Sequence, residues 1–426
     1  MNTKAQEHAA LLPQQSYFGP TPDPQKDPYD RRKVKQLNDI SFEGDSGDEE
    51  GKEIFEDVRN VQRLPQTILT EENLKVYLTR ETEKLDLEHS YWLKDVFLDK
   101  VGRMAPNLRW LSLRRLKISN RAFSEIATCL KQLERLDISD CTQIQAPAFK
   151  QLLSNNKSTL QQIQASNTPS AVTNEVMDLL AWTPNLTFLD ISHARHLTDE
   201  GAHYFKERTL PIKKLFVNGL TSLTGAGLAD MIQSCTATLR IFEGGYMDQE
   251  GMVGAVFCNT LAHCFELEEI DLSGDVMLDD NSIMLLPKGE LKDHHGKTIE
   301  VVGLQKLRLA KLNGLSKLTD HSVIKLAATS KVLEHLELTK CEQLTEYAID
   351  SIIKQNGSLV FLDLNGIPAI TQPILDGLRQ LKPELLIRRY LYQNIDPKDN
   401  ELRVPRRLMG EKKKKKKGKK GGKKKK

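Results

Sequence analysis

The chain of 426 residues is long enough for two or three ordinary domains, with 39% hydrophobic residues to build a core and 28% charged ones. Its formal charge of +3 hides two opposed parts: residues 411–426 hold 12 Lys and one Glu and carry +11, which leaves −8 on residues 1–410. No run of about 18 apolar residues is present to span a bilayer, the N-terminus leads into Pro-rich polar sequence without a secretory apolar stretch, and the six Cys (Cys129, Cys141, Cys235, Cys258, Cys264, Cys341) contain no C-x-x-C pair. The composition therefore predicts a cytoplasmic or nuclear protein, nucleolar placement included, that is neither secreted nor transmembrane and keeps its thiols reduced.

Residues 1–60 are predicted to be disordered, first Pro-rich and then acidic. Glu43 to Asp57 holds eight carboxylates against one Lys, too little apolar area to offset the entropy of ordering. Ser46, in Ser-Gly-Asp-Glu, fits an acidophilic kinase site. Residues 61–81 read as an N-terminal capping region, with an amphipathic helix that begins at Thr70 as N-cap.

From there the chain repeats itself. Leu-x-x-Leu-x-Leu units start at Leu108, Leu133, Leu160, Leu186, Ile212, Leu239, Leu267, Leu304, Leu333 and Leu359, with a weaker copy at Thr82. Most steps are 25 to 29 residues and one, after Leu267, is 37. An apolar residue followed by a capping Thr or Asp recurs at one phase, as in Leu197-Thr198-Asp199, Leu278-Asp279-Asp280, Leu318-Thr319-Asp320 and Leu344-Thr345-Glu346, and marks a helix start in each repeat. Cys141 and Cys341 fall just before such caps, where the turn after the strand packs inside.

In Leu133-Glu-Arg-Leu-Asp-Ile-Ser-Asp-Cys141-Thr-Gln-Ile and Leu333-Glu-His-Leu-Glu-Leu-Thr-Lys-Cys341-Glu-Gln-Leu-Thr the chain resembles the cysteine-containing leucine-rich repeats of the ribonuclease-inhibitor-like class, found in F-box/leucine-rich-repeat and mitotic-exit-antagonist proteins. The resemblance covers roughly residues 82–390. At the turn position it departs from the family's Cys or Asn with Leu116, Ala194, Leu220, Asp275, Leu312 and Ile367. It implies an α/β leucine-rich-repeat solenoid, a horseshoe of about 11 repeats over residues 82–392 with a concave parallel sheet and convex helices. An insertion near 287–303 is read as a surface loop, Leu385–Tyr392 as the C-terminal cap, and 393–426 as a disordered tail.

Chemistry is sparse. The sequence has no G-x-x-x-x-G-K-[ST], H-E-x-x-H or G-x-S-x-G. Gly225-Ala-Gly227 reads as a repeat turn and His294-His295 as solvated loop residues. A non-enzymatic protein without cofactor, metal or small-molecule substrate is expected.

A solenoid sheet instead offers outward columns, because strand side chains alternate. The central column reads Asp86, Ser112, Asp137, Gln164, Asp190, Phe216, Glu243, Asp271, Arg308, Glu337, Asp363, with seven of eleven acidic. It suits a basic protein ligand, although Asp there is also a common structural residue of the resembled family. Trp110, Phe188, Phe216 and Phe361 point outward as candidate anchors, unless a flanking segment covers them. The tail lysines Lys412, Lys413, Lys414, Lys415, Lys416, Lys417, Lys419, Lys420, Lys423, Lys424, Lys425 and Lys426 suit a polyanion, whether RNA, an acidic protein tail or an anionic membrane. With Arg31-Arg-Lys-Val-Lys35 they also read as a nuclear or nucleolar address. A further expectation is that the tail, roughly 30 Å in reach, folds back on the acidic column near Glu337 and Asp363.

The reading is an interaction scaffold or adaptor, a monomer within a larger complex. A substrate-recognition subunit of an SCF-type ubiquitin ligase is the family-derived alternative. Leu64-Pro-Gln-Thr-Ile-Leu69 begins like an F-box, but repeat material starts at Thr82, so the F-box must be degenerate or supplied in trans. A nucleolar, RNA-associated or ciliary and cytoskeletal assembly factor is the other alternative.

Overall fold

A computed structural model describes residues 61–64, 70–247, 254–292 and 298–389, all within the second of the two units, Met1–Asn60 and Val61–Lys426, into which the chain divides. The expectations for residues 1–60, Ser46, His294-His295 and the Lys tail lie outside the described residues.

Apolar residues at the centre of each repeat strand cannot be buried by one repeat, so successive repeats align them. The strands are β1 (Gln62–Arg63), β2 (Lys84–Asp86), β3 (Trp110–Ser112), β4 (Arg135–Asp137), β5 (Gln162–Gln164), β6 (Phe188–Asp190), β7 (Lys214–Phe216), β8 (Ile241–Glu243), β9 (Glu269–Asp271), β10 (Lys288–Lys292), β11 (Thr298–Val302), β12 (Leu309–Lys311), β13 (His335–Glu337), β14 (Phe361–Asp363) and β15 (Leu386–Arg388). Thirteen of them form one parallel sheet in chain order, β1 to β9 and then β12 to β15. Their central residues, such as Leu111, Leu136, Leu215, Phe242 and Leu362, are fully or almost fully buried and face the helices behind. Phe242 is the largest in that row, and Gly244 follows it because a Cβ there would strike the Phe242 ring at 2.5 Å.

Several helix starts are built by two neighbouring repeats. Thr70 caps its own helix, Glu71–Tyr77, by accepting from the Asn73 amide. In the recurring pairs the first residue sits at the N-cap, with Asp279 and Thr319 accepting from their own helices and Thr198 making no such side-chain bond, while the Asp that follows receives the backbone N–H and hydroxyl of the next repeat's cap. Asp199 holds Thr224, Asp280 holds Thr319 and Asp320 holds Thr345, with amide contacts of 2.8 to 2.9 Å. Burial alone would raise the Asp280 pKa, yet the donors of Ser322 and Thr319 outweigh it and hold the carboxyl below its ordinary value.

Each turn after a strand adds a second ladder. Three residues beyond the strand end, ten successive repeats place a left-handed residue: Arg115, Asp140, Asn167, His193, Gly219, Tyr246, Gly274, Gly314, Lys340 and Gly366. The non-glycine members cost roughly 1–2 kcal/mol each. Their amides are used in return, as in Asp140 N–H to the Ser166 carbonyl and Lys340 N–H to the Asn365 carbonyl, at 2.9 and 2.7 Å. Gly219 and Gly274 have a further reason: a Cβ would meet the His193 or Tyr246 ring of the preceding repeat at 2.4 Å. Cys141 and Cys341 lie in this turn with their thiols donating to the Leu113 and Leu312 carbonyls at 2.9 and 3.0 Å, and burial pushes both up to about 12.

Three expectations change. The insertion is an antiparallel hairpin of β10 and β11, Lys288 opposite Val302, inserted between neighbours that still pair in register. The N- and C-terminal covers are strands as well as helix, since β1 and β15 extend the sheet. The repeat at Leu304 is shifted by three residues. The frame starts at Leu307 and puts Ala310 in the core and Leu309 on the outer face, so Lys311 and not Arg308 stands in the central outward column, and Leu315 and not Leu312 at the turn. Both frames satisfy the leucine pattern. Only the second places Leu318 eleven residues after the start, as Leu197 follows Leu186 and Leu344 follows Leu333.

Candidate binding face of the sheet

All eleven candidate binding residues lie on the face of the sheet opposite the helices, but they differ in what they already hold. In the central column, Asp86, Asp137, Asp190, Asp271 and Asp363 each accept the backbone N–H two residues on, at 2.9 to 3.0 Å. This local bond turns the chain out of the strand and explains the recurrence of Asp, whose short side chain reaches it. Glu243 and Glu337 do not make it. There the preceding repeat supplies an Asn: Asn218 accepts from the Gly245 amide and donates to Glu243, and Asn313 accepts from Thr339 and donates to Glu337.

Towards both ends of the sheet the column is neutralised. Arg63 pairs with Asp86 at 3.1 Å, and Arg388 with the fully buried Asp363. Lys311 stands between Asp271 on β9 and Glu337 on β13, 3.7 Å from the Asp271 carboxylate. Burial alone would lower the Lys311 pKa, but Asp271, Glu337, Glu243 and Glu269 together raise it. Glu337 also accepts from His335 at 3.0 Å. Burial opposes its ionisation, yet the His335 and Asn313 hydrogen bonds bring it down to about 2. Phe361 is stacked on His335 with ring centres 4.2 Å apart, and the Arg388 guanidinium lies 5.5 Å from its centre.

Near the N-terminal end, half-buried Trp110 lines a cleft of about 190 Å³ with Asp86, Glu88, Arg135, Asp137 and Gln164. That volume suits a single side chain, being below the several hundred Å³ typical of small-molecule sites.

The centre differs. Phe188 and Phe216, both half-buried, meet edge to face at 5.0 Å and 70°. Phe216 has Asp190 and Glu243 as its register partners on β6 and β8. Among the described residues neither carboxylate has an ion pair, and burial raises the pKa of both, as it does for Asp137 and Glu269. Half-buried Ile241 extends the apolar surface. Lys311, Arg388 and Ile241 were not among the expected site residues; the constant start-to-cap spacing would have identified Lys311, and the alternation that marks Phe188 also marks Ile241, two residues after the start at Leu239, whereas no repeat marks Arg388. No group of three or more His, Cys, Asp or Glu among the described residues is placed to hold a metal ion, and no described helix is long and apolar enough to cross a membrane.

No family model and no curated protein sequence matches the chain. Among solved structures, a chain of the yeast Rad7–Elc1 complex is similar at 20% identity and a TM-score of 0.57, over 74% of this chain and 77% of that one. A leucine-rich-repeat protein of Leptospira interrogans aligns at 14% identity and a TM-score of 0.36 over 77% of this chain and 93% of its own. The leucine-rich-repeat protein LegL7 of Legionella pneumophila aligns at 12% and 0.40 over 76% and 99%. At 20% identity the Rad7 likeness is one of fold. With one parallel strand and one helical segment added per repeat, this protein is a leucine-rich-repeat solenoid.

Proposed function

We propose that the protein is a non-enzymatic interaction scaffold that holds a protein ligand on its sheet face, with Phe188 and Phe216 as anchors and Asp190 and Glu243 selecting basic side chains. The observation that supports this reading is the aromatic pair itself, set beside two carboxylates that have no ion pair among the described residues: Asp86, Asp271, Glu337 and Asp363 already have cations, whereas Asp190 and Glu243, like Asp137, do not. Aromatic anchors on a rigid support, beside charge that a partner would compensate, are the usual material of binding hot spots. The Rad7 chain, solved in complex with Elc1, is a precedent for a protein partner on this fold.

Membership of an SCF-type ligase is the narrower alternative. It would need a linker-binding element beyond the described solenoid, to which residues 61–81 contribute β1 and the helix Glu71–Tyr77. The Lys tail is proposed to bind polyanions, and RNA-associated or cytoskeletal roles rest on it alone.

The test is to replace both anchors. Phe188→Ala with Phe216→Ala should weaken capture of the partner that the intact chain retains from its source cells by about tenfold or more, as expected for hot-spot aromatics, with the melting temperature nearly unchanged. Undiminished capture by this double variant would contradict the assignment of the face.

A further inference from the structure

Two rows of the central column have the same plan with one difference. On β9, β12 and β13 the row reads Asp271, Lys311, Glu337, a cation between two carboxylates. On β6, β7 and β8 it reads Asp190, Phe216, Glu243, with an aromatic ring where the cation stood. Adjacent strands lie about 4.8 Å apart, so both carboxylates flank the ring, and Phe188 closes one side edge-on. A ring face between two ionised acids attracts an ammonium by cation–π and charge terms together. The Lys311 row shows a cation accommodated at this position, 3.7 Å from the Asp271 carboxylate and beside Glu337.

The chain carries its own source of ammonium groups. The last described residue, Arg389, follows the end of β15, and Lys412 comes 23 residues later. From β15 to β7 is six strand steps, about 29 Å at that inter-strand spacing. A flexible coil of 23 residues has a root-mean-square reach of roughly 26 Å. Effective concentration is highest when reach and span match, and is then about millimolar. The nearer carboxylates are already taken by Arg388, His335 and Lys311, which moves the tail's target from Glu337 and Asp363 to the centre of the face.

We propose that the Asp190–Phe216–Glu243 row is a lysine seat, and that the chain's own Lys412–Lys426 segment occupies it and so covers the surface a basic ligand would use. The consequence for a ligand rests on the function proposed above; the seat does not.

The test uses a labelled peptide of residues 411–426, followed by fluorescence anisotropy at about 0.05 M salt, where the Debye length is still above 10 Å. A chain ending at Gly410 should bind it, and the full chain should bind it about tenfold more weakly because the seat is filled from within. In the shortened chain, Phe216→Ala, and separately Asp190→Asn with Glu243→Gln, should each cost about tenfold, while Asp86→Asn, at a carboxylate paired with Arg63, should change little. Equal binding to the two chain lengths, or binding indifferent to the seat substitutions, overturns the proposal. If the peptide fails to bind while the Phe188/Phe216 variant still loses its protein partner, the tail assignment falls and the scaffold reading survives. The reverse pattern removes the scaffold reading and leaves the seat.

Discussion

Leu215 and Phe216 are neighbours on one three-residue strand with opposite duties. Leu215 is 1% exposed in the continuous core, so Leu215→Ala should lower unfolding stability by about 3 kcal/mol in urea titrations. Phe216→Ala, on the outer face, should cost below about 1 kcal/mol yet abolish most ligand affinity. The carboxylates beside Phe216 give a pH signature with two opposed signs. Asp190 and Glu243, ordinarily near 3.8 and 4.5, are raised by burial, so the folded chain keeps protons that the unfolded chain has lost. Stability of the free protein from these groups therefore falls as pH rises from the ordinary carboxylate range through the raised values. Affinity for a basic ligand rises over the same window, because only the ionised acids hold a cation. A flat affinity profile there, measured by anisotropy, would exclude a role for this pair. Glu337 behaves oppositely: its contribution is complete above its ordinary 4.5 and is lost as pH falls towards about 2.

At the scale of the element, the recurring Leu, the Thr-Asp caps and the Asp that ends five of the strands were all legible, because each answers a geometry that recurs along the repeats. What escaped were features without a repeat to announce them. β1 has two residues, too few for any pattern, and is a strand only because β2 offers it an edge. The frame at Leu307 was hidden by an extra leucine at Leu304 and by Ala310, which fills a position where leucine is the rule. At the last strand, Arg388 holds the fully buried Asp363. Arg388→Ala should cost about 2 kcal/mol, the low side for breaking a buried pair because the arginine is itself over a third exposed. Amide exchange should quicken in β14 and β15 and stay unchanged in β4 to β8; uniform acceleration would mean that the pair supports the whole sheet.

Across the whole described solenoid, each repeat touches mainly its neighbours, so stability is a sum of local terms and nearest-neighbour interfaces. That arrangement frees the outer face from structural duty except where a side chain also closes a turn, as the five Asp residues do. The aromatic identity of that face was readable from alternation alone. Its electrostatics were not, since the cations that neutralise parts of the acidic column come from Lys311, Arg63 and Arg388, the last two on strands that no repeat predicted. The central claim is that the face around Phe188 and Phe216 is where a protein partner sits. Its most direct test is site-specific photo-crosslinking in source cells, with a photoreactive phenylalanine analogue in place of Phe188 and, for comparison, of the exposed Val256 on the helix Gly254–Leu261. The account predicts one dominant protein adduct from position 188 and none of it from position 256. The same adduct from position 256, with none from 188, would place the partner on the helices and contradict the account.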